Sequence, residues 1–363
     1  MSALGPLFIV GTGRCGSTML SNLVRRHPDL LSISEFFSAT TDLGGRISLC
    51  FPDHPIEADE LWRIVAGIQP KLTTMRRHDV MMDEVLYRPA ALPCFGGVPG
   101  VPAILETALP HLCDEPEALF ADLERFVSTL PVAPVGQHYQ QVFGFLAHRF
   151  GKRTWVERSG GSLRLVRRLI KNFPDARFVH LVRDGRTCAI SMSRHLGFRM
   201  ALIAVQLTEI LGVDPWESRD RAYVDDVPEE LLPFLPERFD REAFLRYETP
   251  LPLCGHYWSG EIVTGLDELS GVAPGRLLTL RYEDFGRAPR PTIARLMEFI
   301  GVDVDDAWIE RMAGIVRPAR SRFTELAPGE RRALMDACQP GFAALAELYS
   351  TELAEAAAGE VPA

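Results

Sequence analysis

A glycine-rich turn near the start of the chain has the residue types of an anion-binding site. Residues 11–18 read Gly-Thr-Gly-Arg-Cys-Gly-Ser-Thr, and they follow the short apolar run 6–10. A turn that leads into a helix points several backbone N–H groups at one place, where the helix dipole adds partial positive charge. Arg14 contributes a full positive charge, and Ser17 and Thr18 contribute hydroxyl donors. The segment therefore predicts a site for phosphate or sulfate.

A second group of anion-binding side chains follows the apolar run 178–182. Arg183 comes at the end of that run, and Ser191 lies eight residues later, about two helical turns into the next helix. An arginine at a strand end and a serine on the following helix are placed to bind one further phosphate, with Arg186 and His195 as weaker neighbours. A nucleotide with a 3′-phosphate needs such a second site, whereas a dinucleotide does not.

The glycine turn also fits other nucleotide-binding patterns in part. Gly11, Gly13 and Gly16 satisfy GxGxxG, and Glu35 lies 19 residues beyond Gly16, where a dinucleotide-binding fold places the acid that binds its ribose. An NAD(P)-dependent oxidoreductase is therefore an alternative interpretation of this segment. The phosphate-binding loop of ATPases and kinases, GxxxxGK(S/T), lacks its lysine here.

The composition is that of a folded protein without a global attraction for nucleic acid. The chain has 363 residues, 47% of them hydrophobic, and a formal net charge of −9, so it can bury a large core but does not attract phosphate backbones as a whole. Its seven cysteines form no CxxC pair and its nine histidines no HExxH motif, which favours a reducing compartment and predicts no metal. No apolar run approaches the ~20 residues of a membrane span, and no signal-peptide pattern opens the chain. We expect a soluble cytoplasmic protein.

Strand-like runs alternate with helical patterns along the chain, and the strands are expected at residues 6–10, 30–34, 154–156, 177–182 and 277–281. This alternation predicts an α/β fold with a central, mainly parallel sheet flanked by helices. Ligands of such sheets lie beyond the carboxyl ends of the strands, where the glycine turn, Glu35 and Arg183 fall.

Two proline-rich segments interrupt this pattern, at about residues 39–150 and 211–249. We expect both to be helical insertions that shape a cleft for an acceptor, within a single domain of residues 1–352. Residues 353–363 are rich in Ala and Glu and are expected to form a flexible tail.

Taken together, the motifs resemble the sulfotransferase superfamily that uses 3′-phosphoadenosine 5′-phosphosulfate (PAPS), close to its bacterial and tyrosylprotein branch. Residues 13–18 look like the family's 5′-phosphosulfate loop, and residues 178–191 (FVHLVRDGRTCAIS) look like its 3′-phosphate motif. Residues 281–285 (RYEDF), followed by a helix that ends at 298–302 (EFIGV), are similar to a strand-helix segment of the family. The resemblance implies a P-loop-like sulfotransferase fold and in-line transfer of a sulfuryl group to a hydroxyl, with release of 3′,5′-adenosine bisphosphate.

The resemblance also implies which residues bind the nucleotide. They are Gly13, Arg14, Cys15, Gly16, Ser17, Thr18, Arg183, Ser191, Ser321 and Arg322. The last two belong to residues 318–323, which resemble a late Ser-Lys-Trp loop over the nucleotide, with Arg322 and Phe323 in place of Lys and Trp.

Three further residues receive catalytic roles from the resemblance. Arg14 stands where the family carries the cation that stabilises charge on the bridging oxygen. Arg158 lies 25 residues before Arg183, where the related branch usually reads Glu-Lys-Thr-Pro, and a surface ion pair is its alternative role. Glu35, 21 residues after Arg14, matches the family's acidic base. His27 is the alternative base, although a helix-capping role explains it more simply.

The implied acceptor is a hydroxyl of a small molecule, a glycan or a lipid, with no nucleic-acid partner. A non-catalytic homologue that keeps the nucleotide cleft is the remaining alternative. A basic stretch, Arg164, Arg167, Arg168 and Lys171, is interpreted as a solvated helix face, and Trp258 as part of the core rather than of an acceptor pocket.

Overall fold

The computed structural model describes residues 5–89, 91–317 and 321–359, with side chains as far as residue 350. Its strands are β1 Leu7–Val10, β2 Leu30–Ser34, β3 Cys94–Phe95, β4 Val98–Pro99, β5 Thr154–Arg158, β6 Arg177–Val182 and β7 Leu277–Arg281. Five of them form one parallel sheet in the order β2-β5-β1-β6-β7, while β3 and β4 form a short antiparallel hairpin.

Helices flank this sheet and build the segments between its strands. They are α1 Ser17–Val24, α2 Phe36–Thr40, α3 Ile47–Cys50, α4 Ala58–Val65, α5 Pro70–Arg77, α6 Ala103–Glu106, α7 Pro116–Val127, α8 Val135–Arg149, α9 Val166–Asn172, α10 Gly185–Ser193, α11 Leu196–Leu211, α12 Arg241–Arg246, α13 Leu251–Leu269, α14 Tyr282–Arg287, α15 Pro289–Ile300, α16 Asp306–Ala313 and α17 Pro328–Gly359. Short 3₁₀ turns connect several of them, including Ser162–Leu165 before α9.

The central strand β1 is apolar throughout because it has a neighbouring strand on each edge and is covered on both faces. All four of its residues are buried, which is typical of a parallel strand inside an α/β sheet. Its Phe8 ring contacts the rings of Trp155, Phe173 and Phe178, with centroids 4.9 to 5.9 Å apart. Burying one such ring contributes about 1.5–3 kcal/mol to folding, so this cluster fixes β1 against its neighbours.

The sheet confirms the predicted α/β class. Its strand order also distinguishes it from the sheet of the dinucleotide-binding fold. In the dinucleotide-binding fold the second strand lies beside the first. Here β5 lies between β1 and β2, so Glu35 at the end of β2 is not on the strand next to the glycine turn. The order therefore argues against the dehydrogenase alternative.

The first predicted insertion contains helices α3 to α8, whereas the second, residues 211–249, contains the short helix α12 and two 3₁₀ turns. The two segments share a hydrophobic core of their own. Side chains from both segments, such as Met75 and Phe234, pack with Leu207 on α11 in a cluster separate from the core of the sheet. Helix α8, however, packs on β2 and β5 and therefore belongs to the helical layer of the sheet. The domain limits, and the flexible tail at residues 353–363, stay predictions; α17 extends to Gly359, and residues 360–363 lie outside the described residues.

Across the described ranges, no helix is both long and apolar enough to cross a membrane.

A buried charge cluster ties the two insertions together. Lys71 at the start of α5 is 2% exposed, and its Nζ lies 2.5 Å from Asp214 and 3.5 Å from Asp42. Asp42 is fully buried and also accepts the backbone N–H groups of Lys71 and Leu72. Burial raises the pKa of Asp42, and the neighbouring Lys71 charge opposes that rise.

We predict that Lys71→Ala lowers the free energy of unfolding by about 3–5 kcal/mol, because it leaves Asp42 buried without its counter-charge. Lys171→Ala is the matched control, since Lys171 also pairs with an aspartate, Asp53, at 2.6 Å but is 59% exposed. Urea denaturation should separate the two variants clearly, with the control close to wild type. Equal effects for both variants would contradict a structural role for the buried cluster.

Candidate functional site

One cavity of about 330 Å³ opens at the carboxyl ends of the parallel strands. Its walls come from the glycine turn (residues 11–18), from the residues that follow β2, β5, β6 and β7, and from side chains of the first insertion and α11. This is the place where an α/β sheet of this kind binds its ligands.

Two positions of the glycine turn require glycine because aromatic rings lie against them. Gly16 has a φ of 94° and precedes α1, and a Cβ there would collide with the Tyr282 ring. A Cβ at Gly13 would collide with the Phe198 ring. Arg14 between them has a φ of 62°, a strained value for a residue with a side chain.

The remaining residues of the turn differ in what they offer to a ligand. Cys15 is buried, and burial raises the pKa of its thiol, so its backbone is the part available to an anion. Ser17 is buried at the start of α1, Thr18 is exposed, and both line the cavity. The helix N-terminus therefore faces the cavity as predicted.

Arg14, Arg183 and Ser191 meet at this turn. The Nε of Arg14 donates to the Ser191 hydroxyl at 3.2 Å, and Arg183 donates to the Arg14 carbonyl at 3.1 Å. Arg183 also lies over the Tyr282 ring, 4.4 Å from its centroid, and its buried Nε has no hydrogen-bond partner among the described residues. The two groups of anion-binding side chains that the sequence predicts thus share one cavity and touch through Arg14.

Glu84, from the first insertion, has no sequence motif and was not predicted. One of its oxygens lies 2.7 Å from Arg14, and the other lies 2.9 Å from Nε2 of His195. Since Nδ1 of His195 accepts the Phe198 N–H at 3.2 Å, its Nε2 carries the proton that Glu84 receives. Burial alone would raise the pKa of Glu84, but His195 and Arg14 outweigh it and hold that pKa at about 2.

Glu35 and Arg158 form an ion pair that also lines the cavity. Arg158 is 2% exposed and donates to one oxygen of Glu35, while the Gly160 N–H donates to the other oxygen at 2.8 Å. The Glu35 N–H in turn donates to the Arg158 carbonyl at 2.8 Å. A surface ion pair, the alternative interpretation of Arg158, is therefore wrong, because this pair is buried and faces the cavity.

Glu157 does not compete with Glu35 for Arg158. It is fully buried and accepts the Ser159 hydroxyl at 2.6 Å. Burial raises the pKa of Glu157 to about 8, which disfavours its charged form. Arg158 is left with Glu35 as its counter-ion.

His27 lies outside this cavity, at the other end of α1. Its Nδ1 accepts the Asp29 N–H at 3.2 Å and its Nε2 lies 3.1 Å from the Asp303 carbonyl. Both ring nitrogens are engaged in structural contacts, one with the turn into β2 and one with the segment after α15, and neither contacts a carbonyl of α1. The structure thus gives His27 a structural role but does not bear out the helix-capping interpretation.

Ser321 and Arg322 are not among the residues that line the cavity. Arg322 is exposed and lies 3.7 Å from Glu325. The next residue, Phe323, lies 4.9 Å from the guanidinium of Arg186, which is itself bound to Asp184. Residues 318–320 lie outside the described residues, so the role of this segment in nucleotide binding stays a prediction.

The basic stretch after β5 is divided between the surface and the cavity. Arg167 and Lys171 are exposed and pair with Glu268 and Asp53, as a solvated face requires. Arg164 instead lines the cavity, so its assignment to that face was wrong. Trp258 is fully buried in the core, as predicted. Within the parts of the chain that are described, no group of three or more His, Cys, Asp or Glu side chains is placed to hold a metal ion.

A model described as "Sulfotransferase family" matches residues 133–249. The matched segment contains β5, β6 and α10, and with them Arg158, Arg183 and Ser191. This segment of the chain is therefore similar to the sulfotransferase family. Its place near the tyrosylprotein branch stays a prediction.

Several solved sulfotransferase structures resemble this one. Sulfotransferase STF9 from Mycobacterium avium has 14% identity and a TM-score of 0.46 over 96% of this chain and 77% of that one. A sulfotransferase from Alicyclobacillus acidocaldarius has 15% identity and a TM-score of 0.40 over 96% of each chain. The sulfotransferase domain from the curacin biosynthetic pathway has 15% identity and a TM-score of 0.43 over 92% and 89%. No curated protein matches the chain, and identities this low say nothing about its acceptor.

We predict that Glu84→Gln raises the affinity for 3′,5′-adenosine bisphosphate about fivefold, because it frees Arg14 from an ion pair worth ~1 kcal/mol. Asp83→Asn is the matched control, since it removes the same charge from an exposed neighbour that does not line the cavity. Isothermal titration calorimetry measures both variants. Unchanged or weaker binding in Glu84→Gln would mean that Glu84 does not compete with the nucleotide for Arg14.

Proposed function

We propose that the protein transfers a sulfuryl group from PAPS to an acceptor hydroxyl by in-line displacement, with Glu35 as the base. The observation that supports this best is the convergence of Arg14, Arg183 and Ser191 on one cavity. That cavity also contains the buried pair of Glu35 and Arg158. The product nucleotide is 3′,5′-adenosine bisphosphate.

The residues of the cavity fit a nucleotide with two separate anionic ends. The backbone of residues 13–18, with Arg14, would hold the 5′ end. Arg183 and Ser191 would hold the 3′-phosphate. Among the described residues the guanidinium of Arg183 donates to the Arg14 carbonyl through one Nη, and Arg183 lines the cavity. Its other Nη would supply a charge-assisted hydrogen bond to the phosphate.

When bound, the donor supplies a sulfur centre and a departing nucleotide on which negative charge grows. Cations that are already fixed in place stabilise such charge without reorganisation. Arg14 is held by Ser191 and Glu84, and Arg158 is held by Glu35, so both guanidiniums keep their positions before any ligand arrives.

Glu35 is placed to take the proton of the attacking hydroxyl. A carboxylate has about four acceptor positions, and Glu35 uses one on each oxygen, for Arg158 and for the Gly160 N–H. The remaining positions are available to an acceptor in the cavity that Glu35 lines. General bases need this hydrogen-bond reach.

The acceptor is a hydroxyl of a small molecule, a glycan or a lipid, and the assay is transfer of labelled sulfate from PAPS to a panel of alcohols and phenols. Sulfated product supports the proposal. Binding of 3′,5′-adenosine bisphosphate without any product would instead favour the non-catalytic homologue, and absence of nucleotide binding would remove the proposal altogether.

Arg183→Ala is expected to weaken binding of 3′,5′-adenosine bisphosphate by about 100-fold or more, because charge-assisted hydrogen bonds to a phosphate are lost. Arg194→Ala removes the same charge from an exposed residue at the C-terminal end of α10, and this variant should bind the nucleotide normally. Calorimetry gives both dissociation constants. If the two variants bind alike, Arg183 does not hold the 3′-phosphate.

Glu35→Gln is expected to lower kcat by about 10²–10⁴-fold, the usual contribution of a general base, with nucleotide affinity close to wild type. The matched control is Glu106→Gln, which breaks another buried Glu–Arg pair, with Arg76, outside the cavity. Single-turnover assays separate chemistry from binding. Normal turnover in Glu35→Gln would refute its role as the base.

A further inference from the structure

We propose that Arg164 binds an anionic group of the acceptor, so that the acceptor carries a carboxylate or phosphate in addition to the hydroxyl that is sulfated. This inference rests on the proposed function, because it concerns the acceptor half of the same cavity. It identifies a class of acceptor that no motif in the sequence indicates.

The guanidinium of Arg164 is held in place by backbone and ring contacts. It follows β5 in the 3₁₀ turn Ser162–Leu165, and its Nε donates to the Gly161 carbonyl at 3.1 Å. Its Cζ lies 5.6 Å from the centroid of the Tyr257 ring. These contacts fix the plane of the guanidinium and leave its two Nη groups for other acceptors.

Two glycines make room for this guanidinium at the cavity wall. A Cβ at Gly44 would collide with one Nη, and a Cβ at Gly161 would lie 3.0 Å from the other. Both glycines have positive φ values, 102° and 66°, a backbone conformation that glycine adopts without strain. A planar donor pair in a glycine-lined wall matches the geometry of a carboxylate or phosphate.

Arg164, like Arg183, has no ion pair within 4 Å among the described residues. Arg14 pairs with Glu84 and Arg158 pairs with Glu35. Burial opposes the charge of Arg164, but Tyr257 and Glu261 outweigh this and raise its pKa, so it stays charged. Burial raises the pKa of Glu261, and the neighbouring Arg164 charge opposes that rise.

The position of Arg164 relative to Glu35 assigns it to the acceptor. Gly160 donates to the Glu35 carboxylate, and the adjacent Gly161 accepts from Arg164. One molecule in the cavity can therefore reach both side chains, with its hydroxyl at Glu35 and its anionic group at Arg164. The 3′-phosphate residue Arg183 contacts the Arg14 carbonyl and Tyr282 instead.

Apolar side chains also line the cavity. They are Leu43, Leu72, Met82, Leu165 and Ala201. A small ligand with an apolar body and one anionic group can therefore contact apolar side chains and Arg164 in the same cavity.

The first test measures binding of matched probes without nucleotide. The probes are 4-hydroxyphenylacetate, 12-hydroxydodecanoate and phenyl phosphate, with the methyl esters of the two acids as neutral partners. We expect at least one anionic probe to bind wild type about 10- to 100-fold more tightly than its neutral partner or, for phenyl phosphate, than phenol. Arg164→Gln should remove this preference, while Arg167→Gln, an exposed neighbour, should keep it.

Arg164→Lys is a control that distinguishes the loss of an anion-binding group from a folding defect. It keeps the charge but lacks the planar pair of donors, so we expect weaker anion binding than wild type, with an unchanged melting temperature. If no anionic probe binds more tightly than its neutral partner, or if Arg164→Gln keeps the preference, the inference is wrong.

The second test separates this inference from the proposed function. The affinity for 3′,5′-adenosine bisphosphate should be the same in wild type, Arg164→Gln and Arg167→Gln. A loss of nucleotide affinity confined to Arg164→Gln would place Arg164 in the nucleotide site and overturn the acceptor assignment. Wild type that binds anionic probes through Arg164 but no nucleotide would keep an anion site at Arg164, remove the proposed function and overturn the assignment of that anion to a sulfate acceptor.

Discussion

Repulsion between like charges is the constraint around which the cavity is built. Four arginines, Arg14, Arg158, Arg164 and Arg183, converge on it in a chain whose net charge is −9. Converging cations destabilise a fold unless counter-charges lie close by. Glu84 and Glu35 neutralise two of them, and aromatic rings lie under the other two. Carboxylates and aromatic rings among the described residues thus balance the positive charge of the cavity.

The framework around this cavity could be predicted because its signals are local. The runs at 30–34, 177–182 and 277–281 became strands with the predicted limits, since a buried parallel strand is a continuous apolar stretch. The glycine turn could be predicted for the same reason. Glycines next to a basic residue and hydroxyl side chains, directly before a helical pattern, are typical of an anion-binding turn at a helix N-terminus.

The contacts that cross between segments could not be predicted in this way. Glu84 lies in an insertion without periodic pattern, 70 residues from Arg14, and nothing in its neighbourhood indicates a partner. Arg164 sits in a stretch with three other basic residues, and only the fold shows that it turns inward while Arg167 turns outward. The burial of Arg158 likewise depends on Glu35, 123 residues away. Pairings over such distances are set by topology rather than by local sequence.

The separate hydrophobic core of the insertions has a consequence for how such a protein diversifies. Residues such as Met75 and Phe234 pack on α11 and not on the sheet. Leu72 and Met82 of the same cluster line the cavity, so substitutions within the cluster change the shape of that wall. The strand ends that carry Arg158 and Arg183 pack in the core of the sheet instead, and the two parts can therefore vary independently.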